Sequence, residues 1–98
     1  MKIDAILIHD KDNVAVALRD IHKDEEIVIG KEDGCFRMEV SEAIPFGHKF
    51  AVRYLGKDET VIKYGEVIGR TTVAIPLGAH AHIHNIESLR GRGDLKDN

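Results

Sequence analysis

The sequence predicts a small, mainly β domain whose short strands fold back on one another. Apolar residues recur at every second position over short runs, and these runs end at glycine, proline or acidic turn residues. No segment carries the i, i+3, i+4, i+7 apolar stripe of an amphipathic helix, and only residues 41–43 resemble a single helical turn. A chain of 98 residues is long enough for one domain but leaves no room for a large enzyme core.

Eight segments show the alternation and are each expected to form a strand. In chain order they are residues 3–8, 14–19, 26–29, 35–40, 49–54, 60–62, 67–75 and 79–85. The first of them carries Asp4 within its apolar alternation and lacks a cleavage site, so it is typical of a strand rather than of a signal peptide. The sequence therefore predicts a cytoplasmic protein.

Two connections between these strands repeat one pattern: an apolar residue, arginine, a second apolar residue and Lys-Asp-Glu. Residues 18–27 and 52–61 each contain it, and each joins two strands through a charged tight turn, as in a β-hairpin or corner. Residues 73–80 are expected to be a third copy, in which Pro76 and Gly78 supply the bend. Three such corners indicate a folded-over β architecture rather than a stacked solenoid.

The composition excludes several classes of function. Lys and Arg number 14 against 17 Asp and Glu, so the formal net charge of -3 argues against a nucleic-acid footprint. No apolar run approaches the ~18 residues that a membrane span needs. Cys35 is the only cysteine, which excludes an internal disulfide, and we expect it to be a small buried apolar residue. Neither nucleic acid nor a membrane is therefore expected as a partner.

Three histidines at alternate positions, His80, His82 and His84, form the pattern with the clearest chemical meaning. Side chains alternate between the two faces of a strand, so this spacing puts all three imidazoles on one face. A helix would spread them around its circumference, and the interpretation therefore depends on the predicted strand. Such a face can hold a metal or an anion; the alternative is an exposed polar face. Imidazole and oxygen ligands would suit iron(II), manganese or zinc.

A stiff loop presents His48 and Lys49 at the start of a predicted strand. Pro45 fixes the backbone that enters the loop, and Gly47 permits positive φ or a close approach of the chain. Lysine offers a point charge for a carboxylate, and histidine can bind a metal or exchange a proton near neutral pH. The alternative is an ordinary β-turn that happens to carry polar residues.

Residues 63–70 combine two glycines with Tyr64, Glu66 and Arg70. The simplest interpretation is structural: the glycines form a turn and a bulge, and Glu66 pairs with a neighbouring cation. If this segment lies beside the histidines, Glu66 becomes a candidate base or fourth ligand, and Arg70 a candidate clamp for a carboxylate. The sequence leaves that adjacency open.

Three ordered segments, residues 44–52, 62–70 and 81–88, resemble the N-terminal domain of the altronate dehydratase and D-galactarate dehydratase family. The chain is also similar to the small subunit of (2R)-sulfolactate sulfo-lyase, in which that domain is a separate polypeptide. The resemblance implies a SAF-type domain with a β-clip fold, and a role in lyases that remove water or sulfite from hydroxylated acids. Divalent iron is the usual metal of the dehydratases. The chain departs from the family at Lys57-Asp58, where members often have Lys-Gly.

The predicted function is that of a hydro-lyase or sulfo-lyase small subunit acting on a sugar acid or a related 2-hydroxy acid. A separately encoded large subunit would complete the site, and the chain alone is not expected to be active. The candidate residues are His82 and His84 for a divalent metal such as iron(II), His48 and Glu66 for catalysis, and Lys49, Tyr64, Arg70 and Asn85 for substrate binding.

The alternative is a β-clip module without catalytic activity, which binds a carboxylate or docks onto a partner. Residues 1–86 are expected to form the domain, and residues 87–98, rich in glycine and charge, a tail that docks onto the partner subunit. The sequence leaves open whether the chain also forms a homo-oligomer.

Overall fold

The structure, a computed structural model, describes residues 2–89 and contains strands but no helix within them. This confirms the mainly β class. The strands are β1 (Ala5–Ile6), β2 (Val14–Ala17), β3 (Glu26–Lys31), β4 (Gly34–Glu39), β5 (Lys49–Ala51), β6 (Thr60–Lys63), β7 (Glu66–Thr71), β8 (His80–Ala81) and β9 (Ile86–Ser88). No helix in this part of the chain has the length and apolar character needed to cross a membrane.

The strands form two sheets. The larger has the order β4-β3-β1-β2-β5-β8, and the smaller has the order β6-β7-β9. The pairs are antiparallel except for β1 with β3, which run parallel. Two hairpins, β3–β4 and β6–β7, extend from the places where the sequence repeat occurs. The two edge strands of the larger sheet are β4 and β8, and the histidine segment begins in β8.

Two clusters of buried apolar side chains form the core. The first includes Phe50 and Ile27 and lies in the larger sheet, and the second includes Leu55 and Val61 and joins the two sheets. Residues 27–30 of β3 are buried in succession, which is the pattern of a strand covered on both faces. Burying one such large side chain stabilises the fold by about 1.5–3 kcal/mol, so these few residues supply much of the stability.

The charged corners predicted from the sequence repeat have the same hydrogen-bonding pattern in the structure. In the first corner Arg19 binds the carboxylate of Glu25, and in the second Arg53 binds that of Glu59. Each carboxylate also accepts a hydrogen bond from the backbone N–H three residues before it, at 3.0 Å and 2.8 Å respectively. In each corner one glutamate carboxylate therefore links the arginine before the turn to a backbone N–H of the turn itself.

The departure from the family at Lys57-Asp58 leaves the backbone of the second corner intact. Asp58 has φ 66°, and its counterpart in the first corner, Asp24, has φ 67°. This left-handed conformation suits glycine, and aspartate is among the few other residues that tolerate it. The two corners therefore share one conformation.

A second sequence repeat, which was not predicted, precedes the two strands that carry the histidines. Ala-Ile-Pro-Phe-Gly at residues 43–47 matches Ala-Ile-Pro-Leu-Gly at residues 74–78, and both glycines have positive φ, 82° and 79°. Each isoleucine forms a β-bridge to the preceding charged corner: Ile44 with Ile21, and Ile75 with Leu55. Residues 73–80 therefore form the third copy of the corner expected from the sequence, because Gly78 takes the positive-φ place that Asp24 and Asp58 have in the charged corners, three residues after the bridging residue. One turn leads into β5 and the other into β8.

Several predictions about strands and burial are wrong. The segment 79–85 is not one strand, because β8 ends at Ala81 and a turn follows it. The segments 3–8 and 67–75 are strands only over Ala5–Ile6 and Glu66–Thr71, and residues 41–43 form no helical turn. Cys35 is exposed, because β4 is an edge strand that turns this residue outward with Arg37.

The last strand, β9, continues through Ser88, two residues beyond the domain boundary expected from the sequence. It pairs with β7, so this part of the expected tail is integrated into the smaller sheet. The remainder of that tail, residues 90–98, lies outside the described residues.

Candidate functional site

Strands β5 and β8 lie side by side and bring two histidine-bearing segments together. They are antiparallel, and Lys49 lies opposite Ala81. His48 precedes Lys49 and His82 follows Ala81, so in this antiparallel pair both histidines lie at the same end. Their rings are stacked, with centroids 3.9 Å apart and an interplanar angle of 13°.

A hydrogen bond between ring nitrogens ties His80 to His48. The distance from His48 Nδ1 to His80 Nε2 is 2.9 Å, and the rings are inclined by 17°. One nitrogen donates and the other accepts, so at least one of the two rings is neutral. Burial, followed by the neighbouring imidazoles, lowers the pKa of His80, and burial followed by His48 lowers the pKa of His82. Neutral rings offer lone pairs to a ligand.

The three half-buried imidazoles of His48, His80 and His82 fit a metal. One nitrogen from each can be chosen so that all three lie within 4.8 Å of one another. His82 Nδ1 is also buried and has no hydrogen-bond partner among the residues the structure describes. Leaving such an atom unsatisfied costs about 1–3 kcal/mol, which a bound ion would recover. Three imidazole ligands suit a borderline divalent ion such as zinc or iron(II).

His84 stands outside this group of three, although the sequence pattern put it with His80 and His82. Residues 82–85 form a turn, and His84 is exposed, with its ring 5.1 Å from that of His80 and tilted by 35°. The alternation that would have aligned the three histidines ends at Ala81. His48, from a distant part of the chain, takes the third place.

Asn85 closes this turn with its buried side-chain amide. Its Oδ1 accepts a hydrogen bond from the His82 N–H, and its Nδ2 donates one to the His80 carbonyl, both at 2.8 Å. The carbonyl of His82 accepts from the backbone N–H groups of Asn85 and Ile86. The amide is therefore engaged with the backbone that carries two of the histidines.

A cavity of about 340 Å³ opens beside His82. It brings together three residues predicted from the sequence, Lys49, Tyr64 and His82. The other lining residues are Lys63, Ile68, Ile83, Ile86 and Ser88. Burial, followed by the nearby charge of Lys63, lowers the pKa of Lys49. The cavity therefore combines closely spaced cationic groups with an apolar wall, an environment suited to a small organic anion.

Glu66 and Arg70, like His48, His84 and Asn85, lie outside the set of residues that lines this cavity. Glu66 is exposed at the start of β7, where it is the register partner of Lys63. Arg70 binds Glu87 across β7 and β9, with Nε 3.0 Å from the carboxylate, and this contact raises the pKa of the guanidinium. Arg70 therefore joins two strands of the smaller sheet.

Sequence reasoning missed Asp12, which holds one side of the cavity in place. Its buried carboxylate accepts hydrogen bonds from the backbone N–H groups of Tyr64 and Gly65, at 3.1 Å and 2.8 Å, and from that of His9 at 3.0 Å. These contacts fix the β6–β7 turn, where Tyr64 has φ 62°. No local pattern marks the residue, because two of its partners lie 52 and 53 positions away.

Comparison with known proteins gives a consistent set of relatives. A family model described as the altronate/galactarate dehydratase SAF domain matches residues 3–89. The (2R)-sulfolactate sulfo-lyase subunit alpha of Chromohalobacter salexigens is 40% identical over 94 residues, which cover 92% of this chain and 99% of that protein. The altronate dehydratase of Escherichia coli K12 is 41% identical over a 99-residue alignment, covering 94% of this chain and 19% of that protein.

The galactarate dehydratase (L-threo-forming) of Escherichia coli K12 is 41% identical over 76 residues, which cover 76% of this chain and 13% of that protein. The chain thus spans nearly all of the sulfo-lyase subunit and less than a fifth of either dehydratase.

Proposed function

The chain belongs to the altronate/galactarate dehydratase SAF-domain family, and from that premise we propose that it is the small subunit of a hydro-lyase or sulfo-lyase. Its substrate is a sugar acid or a related 2-hydroxy acid, and a separate large subunit completes the site. One observation carries the proposal: three imidazoles meet beside a cavity that contains two lysines. The near-complete match to a sulfo-lyase alpha subunit supports the two-subunit arrangement.

His48, His80 and His82 would hold the metal, and iron(II) is the ion that the family resemblance favours. When bound, a divalent ion supplies Lewis-acid polarisation of substrate oxygen atoms. The hydrogen bond between His48 and His80 orients these two rings before any ligand arrives. His84 is the fourth imidazole at this edge, and its exposure leaves it available to the partner subunit.

Lys49 and Tyr64, which line the cavity, bind the carboxylate and a hydroxyl group of the substrate. The reaction removes the proton from the carbon that bears the carboxylate and the 2-hydroxyl group. The electron pair of that C–H bond forms a C=C bond as water or sulfite leaves the adjacent carbon, and the resulting enol becomes a 2-oxo acid. The exposure of Glu66 outside the cavity supports assigning the proton acceptor to the large subunit.

The second candidate is a binding module without catalytic activity. The basic cavity alone favours it, because Lys49 and Lys63 can bind a carboxylate whether or not a reaction follows. The two candidates differ in what substitution of a histidine does. It abolishes turnover of the two-subunit enzyme in the first case, and leaves a partner's activity unchanged in the second.

The test is to coexpress the chain with a large subunit of the family and to assay the copurified pair with (2R)-sulfolactate, altronate and galactarate. We expect His82→Ala and His80→Ala to lower kcat by at least about 100-fold while the pair still assembles. His22→Ala, at an exposed histidine of the first charged corner, is the matched control and should retain wild-type turnover. Wild-type turnover in both site variants would refute a catalytic role for the cluster.

A further inference from the structure

The cavity beside His82 carries more positive charge than the binding of one carboxylate requires. Lys49 from β5 and Lys63 from β6 both line it, so the two ammonium groups come from different sheets. Both side chains are half-buried and line the same cavity of about 340 Å³. Two cations held near each other in this way repel, and their proximity therefore destabilises the empty cavity.

No carboxylate within residues 2–89 lines the cavity, and Glu66, the register partner of Lys63, is exposed outside it. None of the lining residues is acidic, and no salt bridge joins Lys49 or Lys63 to an aspartate or glutamate in the described part of the chain. The ammonium group of Lys63 lies 4.9 Å from the centre of the Tyr64 ring, a cation–π contact that positions it without neutralising it. An anionic ligand would supply the missing countercharge.

The remaining wall limits the size and shape of that ligand. Ile68, Ile83 and Ile86 provide the apolar lining, and the volume of about 340 Å³ lies at the small end of ligand pockets. Ile83 is 85% exposed, so the apolar wall forms the rim of the cavity. A compact molecule with a short carbon skeleton and charged ends suits this geometry better than an extended chain does.

We propose that the cavity selects substrates that carry two anionic groups, with Lys49 binding the carboxylate of the 2-hydroxy acid and Lys63 binding the second anionic group. This deepens, and as a statement about substrates rests on, the proposed lyase function. The second group is a carboxylate or a sulfonate, which share a negative charge and oxygen acceptors. Hydroxy acids with a single carboxylate leave one ammonium group uncompensated and bind more weakly.

The test uses the purified chain alone, treated with EDTA so that no metal contributes. ¹⁵N-labelled protein is titrated with (R)-malate and with (R)-lactate at low salt, and amide shifts at residues 49, 63 and 82 are followed. The two acids share a 2-hydroxycarboxylate end, and malate adds one carboxylate. We expect malate to bind about tenfold more tightly than lactate, as for one additional charge-assisted contact. (R)-3-Sulfolactate should match malate, because its sulfonate replaces the second carboxylate.

Lys63→Gln should reduce the preference for malate to about threefold or less, and Lys63→Arg should retain it. Lys57→Gln, which removes the same charge at an exposed position of the second corner, should leave it at the wild-type value. Equal affinities for the two acids, no shifts in these amides up to about 50 mM malate, or an equal loss in Lys57→Gln would overturn the proposal. Neither a large subunit nor turnover is measured here, so this failure is distinct from failure of the lyase assignment.

Discussion

The turn after β8 offers a direct way to separate a structural role from a substrate-binding role at Asn85. Asn85→Ala removes two hydrogen bonds of 2.8 Å and leaves the His82 N–H and the His80 carbonyl without their side-chain partner. Each buried polar group left in this state costs about 1–3 kcal/mol. The site is only partly buried, so the total is about 2–3 kcal/mol. For a domain of this size that lowers Tm by about 10–20 °C.

Urea denaturation and thermal melting of the purified chain measure this effect. Asn85→Asp keeps an acceptor for the His82 N–H but sets a carboxylate oxygen against the His80 carbonyl oxygen, so it should cost at least as much as Asn85→Ala. His84→Ala, an exposed position of the same turn, serves as the control and should change stability by less than about 0.5 kcal/mol. A stable Asn85→Ala variant that has lost only substrate affinity would refute the turn-closing role and support the original substrate-binding prediction.

Three further perturbations test other parts of the structure. Asp12→Ala should destabilise the chain by about 3 kcal/mol and speed hydrogen exchange at Gly65, and unchanged exchange there would contradict its role. The hydrogen bond from Arg19 lowers the pKa of Glu25 to about 2, so the ion pair contributes about 1 kcal/mol of stability above pH 4.5, and this contribution disappears as the pH falls towards 2. In urea denaturation at several pH values, Glu25→Gln should flatten the dependence of the unfolding free energy on pH. An unchanged dependence would argue against the ion pair. Gly78→Ala should lower Tm more than Gly47→Ala, because a Cβ at Gly78 would lie 2.8 Å from a backbone oxygen while one at Gly47 meets nothing within 4 Å, and equal losses would contradict the crowding.

The β class and the position of most strands follow from local signals. Alternation of apolar residues locates eight of the nine strands in residues 2–89, with ends that differ by up to four residues, because a half-buried strand must present every second side chain to the core. The ends of strands are harder to predict, because pairing with neighbouring strands, rather than residue propensity, decides where a strand ends. The strands β1 and β8, for example, contain only two residues each. The strand β9 was not predicted, because Ile86 is its only apolar residue and no alternation of apolar residues marks it.

The sequence predicts which types of residue form the site, but it predicts less well which individual residues belong to it. The sequence identified His48, His82 and Lys49, which lie together, from two separate motifs. It grouped His84 with His80 and His82 on one face and named His82 and His84 for the metal, because it extended the alternation through a turn that starts after Ala81. That turn depends on the buried Asn85 amide, and its effect on the histidines could be read only from three-dimensional contacts.

Lys63 and Asp12 show the same limit more clearly. Nothing in the sequence around Lys63 separates it from the other lysines, and only the packing of β6 against β2, the sheet neighbour of β5, brings it to the cavity. Asp12 acts through backbone groups more than fifty positions away. Residues of this kind cannot be recognised from spacing, since their function depends on which strands become neighbours.

The central claim is that His48, His80 and His82 form one metal site from which His84 is excluded, and metal affinity measures it most directly. Zinc(II) and cobalt(II) are titrated into the purified chain against a competing chelator, with single alanine variants of the four histidines. We expect one ion per chain, a loss of affinity of at least about tenfold for each of the three cluster variants, and a change within about twofold for His84→Ala. An equally large loss in His84→Ala, together with unchanged affinity in His48→Ala, would contradict the account.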